Sequence, residues 1–336
     1  MIEAIKNLWE TTGLFQFEST ELMIKTLIMY VIVGVLVYLA VVKGFEPLLL
    51  LPIATGMLLA NLPGANLFHM EWFVDGVPVM RDGIEVMSTK LSDVVSYAVG
   101  NGGLLDILYL GVKLGIYPSL IFLGVGAMTD FSPLISNPKS IFLGGAAQLG
   151  VFMAFFGALL FGFSPQVASA IGIIGGADGP TAILVTKILA PEYLGPIAIA
   201  AYSYMALIPM IQPPIMKLMT TKKERSVVMT TLRPVSKKEL VIFPIMVIIV
   251  VCLMLPDAAP LIGFLMFGNL LNVSGVTDRL SKTAQNELIN IVTIFLGISV
   301  GATASAKTFL DAKTLLIIAL GLVAFCFSTF GGLLGG

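Results

Sequence analysis

Charge is what this chain has least of. Asp, Glu, Lys and Arg make up 12% of its 336 residues, against roughly 25% in soluble domains. The formal net charge is −1, and no basic cluster is interleaved with aromatics, so there is no case for a nucleic-acid partner. Cysteine is nearly absent. Cys252 and Cys326 both lie in apolar stretches, cannot build a disulfide framework and read as buried thiols. The single histidine, His69, sits in a polar loop with no Cys or His at ligand spacing. It reads as a solvated loop residue rather than a metal ligand. No Ser–His pair, Cys/His cluster or phosphate loop is present, which removes a soluble enzyme with its own nucleophile. The N-terminus lacks the basic start and early apolar run of a cleavable signal peptide, so the first apolar segment is expected to stay in place.

What the chain does have is hydrophobic length. Hydrophobic residues reach 57% and mean hydropathy is +0.99. Runs long enough to cross a bilayer fall at 22–42, 47–62, 104–128, 141–163, 195–219, 240–255, 258–271, 288–305 and 314–330. They predict an all-α polytopic membrane protein with about nine or ten transmembrane segments in a lipid bilayer. Pro118 predicts a kink in the third run, or its division into two helices with 91–112 as the first. Asp106 and Lys113 there share roughly one helical face and read as interfacial or structural.

Lys222, Lys223, Arg225, Arg233, Lys237 and Lys238 crowd the loop 220–239, which should therefore be cytoplasmic. Topology alone accounts for such a loop, and an anionic partner is the other reading. The first 21 residues and the loop 63–90 lean acidic and should be external. These sides agree if residues 166–189 form a re-entrant hairpin, and also if the third run crosses twice.

Residues 166–189 carry the most informative pattern. Gly175-Gly176-Ala177-Asp178-Gly179-Pro180-Thr181 interrupts an apolar stretch with a carboxylate. A charge at membrane depth costs roughly 3 kcal/mol on insertion scales and needs a partner or a task. Glycine and proline break the helix and free backbone carbonyls, as in many ion transporters. Asp178 therefore reads as the centre of a cation site, with Gly175, Gly176 and Gly179 opening the backbone and Thr181 offering a hydroxyl. The plainer readings are a helix cap for Asp178 and an intrahelical bond for Thr181. Tyr202 and Tyr204 lie too deep in the next run for the simplest interfacial belt, and a phenol near an ion site can deliver a proton. Gln212-Pro213-Pro214 should kink or end that helix, a structural stop being the favoured reading. Asn137-Pro138-Lys139 and Asp311-Ala312-Lys313 read as turns and caps.

The two halves resemble each other. Phe122-Leu123-Gly124 matches Phe295-Leu296-Gly297, Lys139-Ser140 matches Lys313-Thr314, and Phe156-Gly157 matches Phe330-Gly331, at a shift of about 174 positions. Gly56-Met57-Leu58-Leu59 matches Gly268-Asn269-Leu270-Leu271. With a re-entrant hairpin the repeat would be inverted, as in many transporters; otherwise it could be parallel. The expected organisation is a first repeat at 1–219 holding the broken-helix site, a basic linker at 220–239, and a second repeat at 240–336. The same shift carries Asp178 past Gly336, so the second repeat reads as incomplete, as though the C-terminal part were missing. Ser299, Thr303 and Ser305 fall near the repeat position of the broken element. They read either as tight helix packing or as lining of an ion path.

Several of these stretches resemble one family. Gly172 to Thr181 is similar to the signature of the β subunit of the sodium-pumping biotin-dependent decarboxylases. So are Gly111-Val112-Lys113-Leu114-Gly115-Ile116-Tyr117-Pro118, Gly126-Ala127-Met128-Thr129-Asp130-Phe131, Ala201-Tyr202-Ser203-Tyr204-Met205, Gln212-Pro213-Pro214-Ile215-Met216-Lys217 and Ser281-Lys282-Thr283-Ala284-Gln285-Asn286-Glu287. The resemblance runs over nearly the whole chain from residue 91.

The resemblance implies a translocase that takes carboxybiotin from a carrier domain, releases CO2, consumes a proton and drives Na+ outward. It implies Na+ and biotin, supplied as carboxybiotin, as the cofactors. The implied partners are a carboxyltransferase and biotin-carrier α subunit, a small membrane γ subunit and further copies of the chain. The implied location is the cytoplasmic membrane of a bacterium or archaeon. Asp178 takes the family's ion-binding acidic position and Tyr204 the position linked to proton delivery. The family's Asn-Pro-Leu-Ile-Gly motif is not found here. Oxaloacetate, methylmalonyl-CoA, glutaconyl-CoA and malonate stay open as the carboxylated substrate. A Na+/H+ antiporter and a membrane anchor for soluble subunits are the rival readings.

Overall fold

The computed structural model describes residues 12, 13, 17, 19–81, 84–228, 233–307 and 309–336. The expected external N-terminal stretch therefore falls largely outside the described residues. The helices of eight residues or more are α1 (Thr20–Val41), α2 (Pro47–Ala60), α3 (Leu91–Asn101), α4 (Leu104–Lys113), α5 (Ile116–Met128), α6 (Pro138–Leu160), α7 (Pro165–Gly172), α8 (Gly179–Leu189), α9 (Leu194–Met219), α10 (Lys237–Met254), α11 (Ala259–Ser274), α12 (Asp278–Ala302) and α13 (Ala312–Gly335). Four of them, α1, α6, α12 and α13, are each long and apolar enough to cross a membrane. The number rises to six if the bent pair α4–α5 and the bent α9 each count as one span. The expected nine or ten spans are not reached by length and composition. Large apolar side chains stand outward, with Phe142 75%, Leu160 87% and Leu218 87% exposed. Soluble surfaces rarely carry apolar patches on such a scale.

One element departs from the all-α expectation. Val77–Arg81 and Ile84–Ser88 pair as an antiparallel hairpin, β1 and β2, with Val79 opposite Val86. Strands this short inside a polar loop leave little periodic signal. Ser88 Oγ donates to Asp93 Oδ2 at 2.6 Å and Arg81 reaches the same oxygen at 3.0 Å, tying the hairpin to α3. The same loop corrects the reading of His69. Its Nδ1 lies 2.8 Å from Asp106 Oδ2, its amide donates to Oδ1 at 2.8 Å, and its ring stacks on Trp72 at 4.1 Å. Asp106 is fully buried and also accepts from the Gly103 amide at 2.9 Å. A carboxylate buried in α4 needs those donors, and the lone histidine supplies two of them.

Two proline expectations also change. The third run bends by 62° at Leu114–Gly115, not at Pro118. Gly115 has φ +80°, which its missing side chain permits, while Pro118 sits in the first turn of α5, where no backbone donor is lost. The Gln212-Pro213-Pro214 sequence does not stop α9, which continues to Met219. The bend of 63° lies upstream, between Met205 and Met210.

The core is built on close glycine crossings. A Cβ on Gly56 of α2 would collide with the Ile298 carbonyl of α12, and one on Gly301 with the Ile53 carbonyl. A Cβ on Gly268 of α11 would collide with the Leu123 carbonyl of α5, and one on Gly126 with the Leu265 carbonyl. Small residues let the backbones approach, so dispersion and weak polar contacts replace a hydrophobic driving force that lipid does not supply. Buried amides lock the helix ends. Asn61 Nδ2 donates to Met57 O at 2.7 Å and Ala304 O at 2.8 Å, and its Oδ1 accepts from the Ala306 amide at 2.7 Å. Asn269 Nδ2 donates to Thr129 O at 2.8 Å.

Candidate functional site

Ser164 and Pro165 start α7, the serine Oγ accepting from the Val167 amide at 3.4 Å. After Gly172 the helix tightens into a 3-10 turn at Ile173–Gly176. Ala177 then adopts the left-handed conformation at φ +55°, and Asp178 is extended at φ −129°. Left-handed alanine costs roughly 1–2 kcal/mol, strain of the kind held at functional sites. Pro180 restarts the helix from a first-turn position of α8, where its missing N–H is harmless. Gly175 has no space for a side chain, because a Cβ there would lie 2.6 Å from the Gly150 carbonyl carbon of α6.

The segment turns back on itself. Phe163, just before α7, meets Tyr193, just after α8, edge to face at 6.2 Å. The eight residues of α7 and eleven of α8 measure about 12 and 16 Å, well short of the ~30 Å hydrocarbon core. Residues 165–189 are therefore a hairpin with its tip at Ala177–Asp178, as one of the two sequence readings required.

The tip brings together the predicted glycines, Asp178 and Thr181. Asp178 is half-buried, and its Oδ2 accepts from the Thr181 hydroxyl at 2.6 Å. Among the described residues Asp178 forms no ion pair. The Gly175 carbonyl points to α13 and accepts from Ser328 Oγ at 2.5 Å. In front of Gly175, Gly176 and Ala177 lies a cleft of about 380 Å³. Gln148, Gln212, Ser328 and Thr329 supply its polar lining, with Phe325 and Ile208 among the apolar walls. Gln148, Ser328 and Thr329 escaped the sequence reading, and Gln212 was read only as part of a stop. A lone amide in the apolar α6 and a Ser-Thr pair in the apolar α13 were the available signals.

The tyrosines divide. Two residues along a helix turn by about 200°, so Tyr202 and Tyr204 face opposite ways. Tyr204 donates its hydroxyl to the Ile318 carbonyl of α13 and its ring lies 5.8 Å from that of Phe325, a wall of the cleft. Tyr202 is 2% exposed and packs its ring over Gly179, in the space a side chain there would take. Two of the candidate path residues make local bonds. Ser299 Oγ donates to Phe295 O at 2.7 Å and Thr303 Oγ1 to Val300 O at 2.6 Å, both within their own helix or its end. Thr303 presses on Gly195 at the start of α9, and Ser305 O accepts from the Phe309 amide at 2.8 Å. For Ser299 and Thr303 these are bonds within a helix and its end, of the kind found in tight packing.

Among the described residues, no three His, Cys, Asp or Glu side chains cluster as metal ligands. The donor set at the tip is one carboxylate, hydroxyls and backbone carbonyls, all hard oxygens. That set suits an alkali cation, for which one negative charge is enough, better than a transition metal.

The chain has close relatives. The family model described as the Na+-transporting oxaloacetate decarboxylase beta subunit matches residues 25–336. The methylmalonyl-CoA decarboxylase subunit beta of Propionigenium modestum is 51% identical over 335 residues, covering 99% of this chain and 82% of the relative. The glutaconyl-CoA decarboxylase subunit beta of Acidaminococcus fermentans is 51% identical over 309 residues, 92% of this chain and 74% of the relative. The oxaloacetate decarboxylase beta chain of Klebsiella pneumoniae is 49% identical over 340 residues, 91% of this chain and 78% of the relative.

Proposed function

The chain belongs to the family of Na+-transporting oxaloacetate decarboxylase beta subunits, multi-pass membrane subunits of decarboxylases, and from that premise we propose that it decarboxylates carboxybiotin and couples the step to outward Na+ transport with proton uptake. The observation that carries this reading is the single carboxylate of Asp178 at the tip of a helix hairpin, beside a cleft approached from the other face.

The proposed topology makes that arrangement useful. Ser136 Oγ donates to Arg233 O at 2.9 Å and Arg233 reaches back to Ile135 O at 3.2 Å, which joins the starts of α6 and α10 on the basic, cytoplasmic side. The Asn61–Ala304 bond joins the ends of α2 and α12 on the external side. In this reading the chain would make nine crossings, formed by α1, α2, α5, α6 and α9 to α13, with the α7–α8 hairpin entering from outside. Residues 1–219 and 240–336 are then inverted repeats joined by the linker 220–239, and the Gly56/Gly301 and Gly126/Gly268 crossings are one interface made twice.

Carboxybiotin, carried by a partner subunit, would enter the cleft from the cytoplasmic side. Gln148 and Gln212 offer amide donors there, and Tyr204 stands behind Phe325 as the phenol that hands over a proton. Na+ would take Asp178, the Thr181 hydroxyl and carbonyls opened by Gly175, Gly176 and Gly179. Na+ and H+ neutralise the same buried carboxylate, so each displaces the other. The implied assembly is with a carboxyltransferase and biotin-carrier α subunit, a γ subunit and further β copies in a bacterial or archaeal cytoplasmic membrane. Relatives named for three different acids stand at 51%, 51% and 49% identity. This near-equality favours selection of the acid outside this subunit.

Asp178→Asn in the assembled complex should abolish both Na+-stimulated decarboxylation and Na+ uptake into proteoliposomes. Avidin should block the wild-type complex, as it would not block an antiporter. Normal Na+ coupling in the Asn variant overturns the reading.

A further inference from the structure

Among the described residues, two buried side-chain oxygens have no hydrogen-bond partner: Oη of Tyr202 and Oγ1 of Thr186. Both belong to the two helices that frame the Asp178 site. Thr186 lies on the buried face of α8, which also carries Gly179, Ala182 and Ile183. Tyr202 lies on α9, with its ring packed against Gly179. Its ring carbon Cζ, which bears the hydroxyl, is 2.5 Å from where a Gly179 Cβ would stand. Gly179 directly follows Asp178 in the chain.

An orphaned buried hydroxyl costs roughly 1–3 kcal/mol, and such groups are rare enough in native proteins to call for a reason. Tyr204 has no such deficit, since the Ile318 carbonyl takes its proton. Of the two tyrosines, only Tyr202 lacks a partner.

We propose that the Tyr202 hydroxyl oxygen is a ligand of the cation held at Asp178. This rests on the cation site proposed above and names a further group of it. The chemistry is suitable. A neutral phenol lends an oxygen lone pair while keeping its proton. It adds no second negative charge that a monovalent ion would leave unbalanced. It also explains why position 179 must lack a side chain, because the ring needs that space to bring its oxygen to the ion.

The test is Tyr202→Phe in the full chain, within the assembled complex. Phenylalanine keeps the ring over Gly179 and removes only the oxygen. In Na+-free buffer of matched ionic strength, the melting midpoint should equal or exceed that of the wild type, since an unpartnered hydroxyl has been deleted. Added Na+ should raise that midpoint less than it does in the wild type. The Na+ concentration for half-maximal decarboxylation should rise roughly tenfold, the equivalent of about 1.4 kcal/mol. The proposal is overturned if the variant keeps the wild-type Na+ response. It is equally overturned if the variant melts lower or fails to assemble without Na+, since the hydroxyl would then have a protein partner. Asp178→Asn separates the two levels. If that variant loses its Na+ response while Tyr202→Phe keeps it, only the Tyr202 assignment falls. If Asp178→Asn also retains its response, the cation site itself falls.

Discussion

Ser328 donates its hydroxyl to the Gly175 carbonyl at 2.5 Å. The α13 helix thereby holds a carbonyl that the helix break released, at the wall of the cleft. Ser328→Ala should cost about 0.5–1.5 kcal/mol, the net worth of one hydrogen bond. Melting of the detergent-purified protein with and without Na+ measures it. An unchanged midpoint in both conditions would show that the contact carries nothing.

Tyr204 and Tyr202 should respond differently to loss of their oxygens. Tyr204→Phe is expected to slow decarboxylation by about 10²-fold or more, the range for a general acid, with little change in the Na+ concentration for half-saturation. A variant whose turnover is normal rules Tyr204 out as the proton donor. A variant whose only defect is in Na+ affinity assigns it to the ion site instead.

The glycine crossings predict a sign change between positions. Alanine at Gly56, Gly301, Gly126 or Gly268 places a methyl group against backbone of the facing helix. Such overpacking costs roughly 1–3 kcal/mol. Gly34, in α1, has nothing within 4 Å of a built Cβ. Alanine there should instead gain about 0.5–1 kcal/mol of helix propensity. Thermal unfolding of the five variants, side by side, decides the matter, and equal effects at crossing and open positions would defeat it.

Asp106 should be intolerant of truncation. Its carboxylate serves the His69 amide, His69 Nδ1 and the Gly103 amide from a fully buried position. Asp106→Ala strands those groups and should cost about 3 kcal/mol or more. Limited proteolysis of the 63–90 loop would register the loosening, and a variant as resistant as the wild type would refute it.

The β1–β2 hairpin has a pH dependence of known sign. The hydrogen bond from Ser88, aided by Arg81, holds the Asp93 carboxyl below its ordinary value of 3.8. A carboxyl depressed in the folded state contributes stability above the unfolded value and loses it as pH falls through the folded one. Amide exchange across 77–88, corrected for intrinsic rates, should therefore stay slow at pH 5 and quicken only below 3.8. Asp93→Asn should exchange faster at both. Protection that declines already near neutral pH would contradict this origin.

Much of this was legible before any coordinates. Glycine and proline around Asp178 dictate a break by local backbone rules, and the break is where they put it. Gly56 and Gly268, singled out by the repeat, lie at the helix crossings. Pro118 was given more disruptive power than it has, because a proline in the first turn of a helix removes no needed donor, while Pro213 and Pro214 do not end α9, which continues past a bend just upstream of them. His69 was read as solvated because its partner, Asp106, is distant in sequence and local pattern carries no sign of the pairing.

The sequence by itself determined the apolar helices, the unwound turn and the lone carboxylate within it, since each follows from side-chain hydrophobicity or backbone freedom over a few neighbouring residues. Only the tertiary structure decided which tyrosine packs over Gly179, next to that carboxylate, and which polar groups line the cleft. A helix presents Tyr202 and Tyr204 to opposite sides, and the choice between sides is made by how α9 packs between α8 and α13, through contacts far apart in the chain.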